Sequence, residues 1–225
     1  MTSQAAELPD SGDIYARRRL KEIAARWDTR ADAWDQALED SACHLHEDDA
    51  YRRFLRVVQR QIAQRRAFCG AHGIIDLGCG TGLVLASVVG GFAWGMGVDL
   101  SPRMIRHARA KGLAHTTFLV GDGFRLPELC PKAGAVLSRG VLLSHYGPEQ
   151  GQAILEAARA VLVPAGFLAC DFLNAAARTR HRHAPENKTW FTVGEIQALA
   201  RRAGFRTVSC AGSPNRRVLV LLAKR

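Results

Sequence analysis

From residue 74 onward, short apolar runs alternate with stretches whose apolar positions recur every three to four residues. "GIIDLG" reads as a buried strand, and "TGLVLASVV" as a helix that stops at Gly90 and Gly91. "FAWGMGVDL" is a second strand. "SPRMIRHARAKG" is a helix with Ser101 at its start, Pro102 in its first turn and Gly112 at its end. "TTFLVGD" and "AVLSRGV" give a third and a fourth strand, "QGQAILEAARAVLV" an amphipathic helix closed by "PAG", and "FLACDF" a fifth strand. A further helix at "TVGEIQALARRAG" precedes two strands, "FRTVSC" and "RRVLVLLAKR". This alternation predicts a doubly wound α/β fold with a seven-stranded, mostly parallel sheet. The short turn "AGSPN" between the last two strands has no room for a parallel crossover, so the last strand is predicted antiparallel.

Residues 1 to about 70 have a different pattern, helical and arginine-rich, with aromatics at Tyr15, Trp27, Trp34, Tyr51 and Phe54. They are expected to form a helical cap on the α/β body at 71–225. In "RRFLRVVQRQIAQRR" the arginines fall opposite Phe54, Leu55, Val58 and Ile62, the pattern of a solvated helix face.

Composition narrows the class without choosing a function. The 225 residues suffice for one sizeable core, and 48% hydrophobic with 23% charged residues is globular. The net charge of +10 fits acidic or nucleic-acid partners, but the arginines are scattered and form no block. Six cysteines without a C-x-x-C pair argue against a zinc site and for a reduced, cytoplasmic compartment. The polar start "MTSQAAELPDSGD" has no apolar signal segment. The uncharged stretch Leu83 to Val98 is shorter than the ~20 residues of a membrane span and reads as a buried helix followed by a buried strand.

The chemistry concentrates in "IIDLGCGTGLV", a strand entering a glycine-rich turn. A P-loop is excluded because no lysine follows the glycines, and a dinucleotide fingerprint requires a small residue where Leu83 stands. Asp76 precedes Gly78, Gly80 and Gly82, and a pyrophosphate beside that carboxylate meets like-charge repulsion. A ligand with an ammonium and a sulfonium is attracted instead. S-adenosylmethionine carries both, and its carboxylate suits a helix N-terminus. Asp99 and Asp122 follow at intervals of 23 residues, each ending a strand at the carboxyl edge where open α/β sheets bind ligands. Asp99 is placed to reach ribose hydroxyls, and Asp122 to accept from the adenine amino group.

With "IIDLGCGTG", "GVDLSPRMI", "GDGFRLP" and "AVLSRGVLLSHYG" in this order, residues 74 to 172 resemble the class I S-adenosylmethionine-dependent methyltransferases. "WDTRADAWD" is similar to a segment of the family's small-molecule branch, with Trp27 and Trp34 at its aromatic positions, and "ARAVLVPAGFL" to the lead into its fifth strand. The resemblance implies a Rossmann-like fold and the methyl donor as cofactor, leaving as S-adenosylhomocysteine, with no metal. It assigns Asp76, Gly78, Cys79, Gly80 and Gly82 to the methionine part, Asp99 to the ribose, and Leu100 and Met104 to the adenine face. Asp122, Gly123 and Phe124 would meet the adenine edge, and Ser138 with Arg139 would close the site. Ala133-Gly134 departs from the family pattern, which often opens the fourth strand with an aspartate.

His145 in "LLSHYG" follows the fourth strand and is the candidate general base, needed if the acceptor is an alcohol, phenol or protonated amine. Trp34, Tyr146, and His181 and His183 in a loop at about 173–190 are the candidate acceptor contacts. "CHLHEDD", with His44 and His46, superficially matches a metal-ligand set but lacks the strand-loop context of one. The expected partner is a small-molecule methyl acceptor. A nucleic-acid methylase is the second reading, raised by charge, although no N-P-P-Y type motif follows the fourth strand. A cofactor-binding sensor without turnover is the third. Membrane association is not expected, and the oligomeric state is open.

Overall fold

The computed structural model describes residues 14–35, 50–140, 142–180, 188–212 and 217–224. Helices α1 (Ile14–Asp28), α2 (Ala50–Gln64) and α3 (Arg66–Ala71) precede β1 (Gly73–Leu77). Then follow α4 (Leu83–Val88), β2 (Trp94–Asp99), α5 (Pro102–Ala110), β3 (Thr116–Val120), α6 (Leu126–Leu129) and β4 (Ala133–Ser138). The second half comprises α7 (Pro148–Val161), β5 (Leu162–Asn174), β6 (Trp190–Phe191), α8 (Val193–Arg202), β7 (Phe205–Ala211) and β8 (Arg217–Lys224).

The sheet runs β3-β2-β1-β4-β5-β8-β7, with β6 added to β5. Strands β1 to β5 pair in parallel, and β8 is antiparallel to both β5 and β7. The sheet therefore has the predicted doubly wound form, with the last strand antiparallel. Successive side chains along a strand take opposite faces. Ile74 accordingly joins a core with Phe54 and Val58 of α2 and Leu85 of α4. Ile75 joins the opposite core with Ile154 and Leu155 of α7 and Ile196 of α8. The Leu83 to Val98 stretch forms α4 and β2 as expected, and no helix among the described residues is long and apolar enough to cross a membrane.

Three details differ from the sequence reading. The eighth strand, β6, has two residues, too few for any periodicity to show. Strand β4 stops at Ser138, before Gly140 turns the chain at φ 77°. Helix α7 ends at Val161, not at "PAG", because Leu162 already pairs with Ala133; the strand then kinks where Ala165 has φ 60°.

Helix α1 is tied over the carboxyl edge. The Asp28 carboxylate accepts from the Ser101 hydroxyl at 2.5 Å and from the Arg103 N–H at 3.0 Å. Ser101 is the N-cap of α5, its Oγ accepting from the Met104 N–H at 3.0 Å. Asp35 accepts from the Thr81 hydroxyl and from Lys111 Nζ, the latter at 2.5 Å. The segment after α1 is thereby attached to the glycine turn.

Candidate functional site

A cavity of about 320 Å³ opens at the carboxyl ends of the strands, beneath α1. Its first wall is the turn after β1. Gly78, Gly80 and Gly82 have φ of 72°, 53° and 80°, a region costly for residues with a Cβ. The turn therefore brings bare backbone to the cavity, with Trp34 and Met104 alongside: a Cβ on Gly80 would lie 3.7 Å from Trp34 Nε1 and 3.9 Å from Met104 Sδ. Asp76 lines the cavity and is 1% exposed, and its Oδ2 has no hydrogen-bond partner among the described residues. Burial, then the Asp99 carboxylate, push its pKa up to about 7, and Arg139 opposes them.

Asp99 holds this wall together. Its Oδ2 accepts from the Gly80 N–H and its Oδ1 from the Ser101 N–H, each at 2.9 Å. Burial raises its pKa, and those N–H groups work against the rise. Gly97 allows the turn to lie close to β2, because a Cβ there would sit 2.8 Å from Cys79 Sγ and 2.5 Å from a Phe118 ring carbon.

The opposite wall is basic and aromatic. Arg139 follows β4 and places its guanidinium 4.9 Å from the Tyr51 ring centre. Lys188 Nζ lies 2.5 Å from His145 Nε2 and 3.2 Å from Nδ1. Trp27 meets His145 edge-on at 6.2 Å and Trp34 at 5.1 Å. Arg217 bonds the buried Asp171 at 3.2 Å, and Asp171 also accepts from the Gly140 N–H at 2.6 Å. Burial, then Arg217, Arg26 and Arg30, push the Lys188 pKa down to about 7, with Asp171 opposing.

Most sequence-predicted positions meet here. Asp76, Gly78, Cys79, Gly80, Asp99 and Leu100 line the cavity, as do Met104, Gly123, Arg139 and, from the acceptor set, Trp34, His145 and Tyr146. Gly82, Asp122, Phe124 and Ser138 do not line it. Gly82 is the N-cap of α4, packed on Phe118. Asp122 caps a short turn by accepting from the Phe124 N–H at 3.0 Å, and the Phe124 ring meets Tyr146 edge-on at 5.1 Å. The Ser138 hydroxyl donates to the Leu77 carbonyl at 2.9 Å and accepts from the Leu142 N–H at 3.3 Å. His44, His46, His181 and His183 lie outside the described residues. The sequence reading missed Tyr51, Lys188 and Arg217 as lining residues.

Residues 74–166 match the sequence profile of a family described as a methyltransferase domain. The chain has the class I S-adenosylmethionine-dependent methyltransferase fold. A methyltransferase from Clostridium acetobutylicum superposes with a TM-score of 0.69 at 12% identity, over 85% of this chain and 99% of that one. A chain of the complex between the Haloferax volcanii Trm112 methyltransferase activator and a methyltransferase gives 0.65 at 20%, over 88% and 96%. The magnesium protoporphyrin IX methyltransferase of Synechocystis, with bound S-adenosylmethionine, gives 0.57 at 21%, over 76% and 79%. Curated proteins gave no sequence match. The residues of this methyltransferase fold fit the methyl donor: the bare glycine turn admits close approach, and a buried carboxylate oxygen of Asp76 beside it has no hydrogen-bond partner among the described residues. Among the described residues no group of three His, Cys, Asp or Glu converges as a metal ion would need.

Proposed function

We propose that the protein transfers the methyl group of S-adenosylmethionine to a small-molecule acceptor and releases S-adenosylhomocysteine. The observation that carries this reading is the buried, unpartnered Asp76 oxygen beside the glycine turn, with Asp99 bracing the same turn. A phosphate ligand gains nothing from two adjacent carboxylates, whereas a cationic donor neutralises them. Bound there, S-adenosylmethionine would supply an electrophilic methyl group, its sulfur keeping the carbon–sulfur bonding pair when the methyl passes to the acceptor's nucleophile.

On this reading the chain's own residues position and exclude. Asp76 holds the donor's cationic part, Asp99 the ribose, and Leu100 with Met104 the adenine face. Trp27, Trp34 and Tyr146 keep water from the reacting atoms. His145 accepts the proton when the nucleophile is a hydroxyl or a protonated amine. The 1–70 segment is the cap and 71–225 the donor-binding domain, with Lys188 from the 173–190 stretch at the acceptor's side. The cavity of about 320 Å³, which donor and acceptor share, falls in the ~300–1,000 Å³ range of small-molecule sites.

The reading is tested by calorimetric titration with S-adenosylhomocysteine, followed by assay of its release from the methyl donor across a panel of small acceptors. Saturable binding and release with one acceptor class are expected. Binding of ATP or NAD without any response to S-adenosylhomocysteine would overturn the donor assignment. Affinity for tRNA or duplex DNA with a steep salt slope would overturn the acceptor assignment.

A further inference from the structure

The donor half of the cavity, built on β1 and β2, leaves the basic half unexplained. Three cations reach the cavity from elements far apart in sequence: Arg139 after β4, Lys188 before β6 and Arg217 at the start of β8. The sheet brings them together. Strand β5 pairs with β4 up to Cys170 and with β6 at Leu173, while Arg217 opens β8 opposite the same Leu173. Lys188 therefore stands past the end of β4, close to His145, with Arg217 across β5.

The surroundings of Lys188 are unusual for a lysine. Its ammonium contacts His145, itself a base, and the charges acting on it are those of Arg217, Arg26 and Arg30 with Asp171 opposing. Asp171 is engaged with Arg217 and the Gly140 N–H. Concentrating like charge in a half-buried corner raises the energy of the empty site and is relieved by an anion.

We propose that the acceptor carries a carboxylate, held by Lys188 and Arg217 at the β5–β8 end of the cavity. This rests on the β1–β2 half being the methyl-donor site. Formal charge supports an anion. Among the groups lining the cavity, Arg139, Lys188 and Arg217 outnumber Asp76 and Asp99, and the donor, with its ammonium, sulfonium and carboxylate, adds one net positive charge. An anionic acceptor reduces that excess, whereas a cationic acceptor adds to it. Lys188 then has a second role a structural lysine lacks: a carboxylate beside it favours its charged form, so acceptor binding takes up a proton near neutral pH.

The test uses the full chain saturated with S-adenosylhomocysteine, titrated calorimetrically with benzoate, benzamide and benzylamine in buffers of different ionisation enthalpy. Benzoate is expected to bind at least tenfold more tightly than benzamide, with proton uptake. Lys188→Met is expected to abolish both the advantage and the uptake, and Lys188→Arg to restore the advantage without the uptake. In both variants S-adenosylhomocysteine should bind within twofold of wild type, which also shows that they fold. The proposal is overturned if benzamide or benzylamine matches benzoate, if benzoate fails to bind at millimolar concentration, or if Lys188→Met keeps the advantage. Failure of the donor product to bind in the first titration refutes the donor reading instead, and separately.

Discussion

Replacing Asp76 by asparagine keeps the side chain's shape and removes its charge. Burial and Asp99 raise this carboxyl from 3.8 to about 7. At ~1.36 kcal/mol per pH unit, ionising it in the fold costs on the order of 4 kcal/mol above neutral pH. The sign follows from proton counting. Between about pH 4 and 7 the folded chain keeps a proton that the unfolded chain has lost, so raising the pH destabilises the fold over that window. An asparagine side chain carries no such penalty. The buried amide forfeits part of the gain, because its N–H groups need acceptors. Asp76→Asn is therefore expected to stabilise the unliganded protein by about 1–3 kcal/mol at pH 8, or about 3–10 °C in Tm, and to change little at pH 4. Donor affinity moves the other way. A charge pair at ~4 Å is worth up to ~4 kcal/mol near a protein surface, so a loss of about 30- to 150-fold in S-adenosylhomocysteine affinity is expected. Thermal unfolding across pH, with calorimetry at pH 8, reads both effects. A variant that is less stable at pH 8, or that binds within threefold of wild type, refutes this role for Asp76.

Asp99→Ala removes the acceptor of the Gly80 and Ser101 N–H groups. It should cost ~2–4 kcal/mol in urea unfolding and weaken S-adenosylhomocysteine by about 10- to 100-fold; unchanged affinity would contradict the ribose assignment. Gly97→Ala forces a methyl group against Phe118 and Cys79 and should destabilise by ~1–3 kcal/mol, seen as a lower urea midpoint at constant slope. Lys188 is protonated in the unfolded chain and not in the fold between about pH 7 and 10.5, so this group makes stability rise with pH there. Lys188→Met should flatten that rise, and an identical pH profile for wild type and variant would contradict the lysine's burial.

The sheet was legible because each of its strands but one is long enough to carry an apolar run, and because Gly90, Ser101, Pro102 and Gly112 punctuate the helices between them. The two residues of β6 could not show such a pattern. The glycine-turn wall of the cavity was legible for a related reason: Asp76, the glycine turn and Asp99 sit at strand ends, and the parallel sheet aligns those ends. Asp122 shows where that logic stops. It lies two residues past the end of β3, where its Oδ1 is taken up in capping the next turn, and it does not line the cavity, which no spacing reveals. Ser138 and Arg139 are neighbours in sequence, yet the hydroxyl bonds into the core and only Arg139 lines the cavity. The basic corner was illegible because Lys188 and Arg217 reach it through the order β4-β5-β8, a consequence of topology with no local signature.

The central claim is that Asp76 and Asp99 receive the cationic methyl donor at the carboxyl edge of β1 and β2. A crystal structure of the protein with S-adenosylhomocysteine tests it most directly. The ligand's ammonium is expected on the Asp76 side of the glycine turn, its ribose hydroxyls on Asp99, and its sulfur facing the corner formed by His145 and Lys188. A ligand seated elsewhere, or with its ribose away from Asp99 and its ammonium away from Asp76, would contradict it.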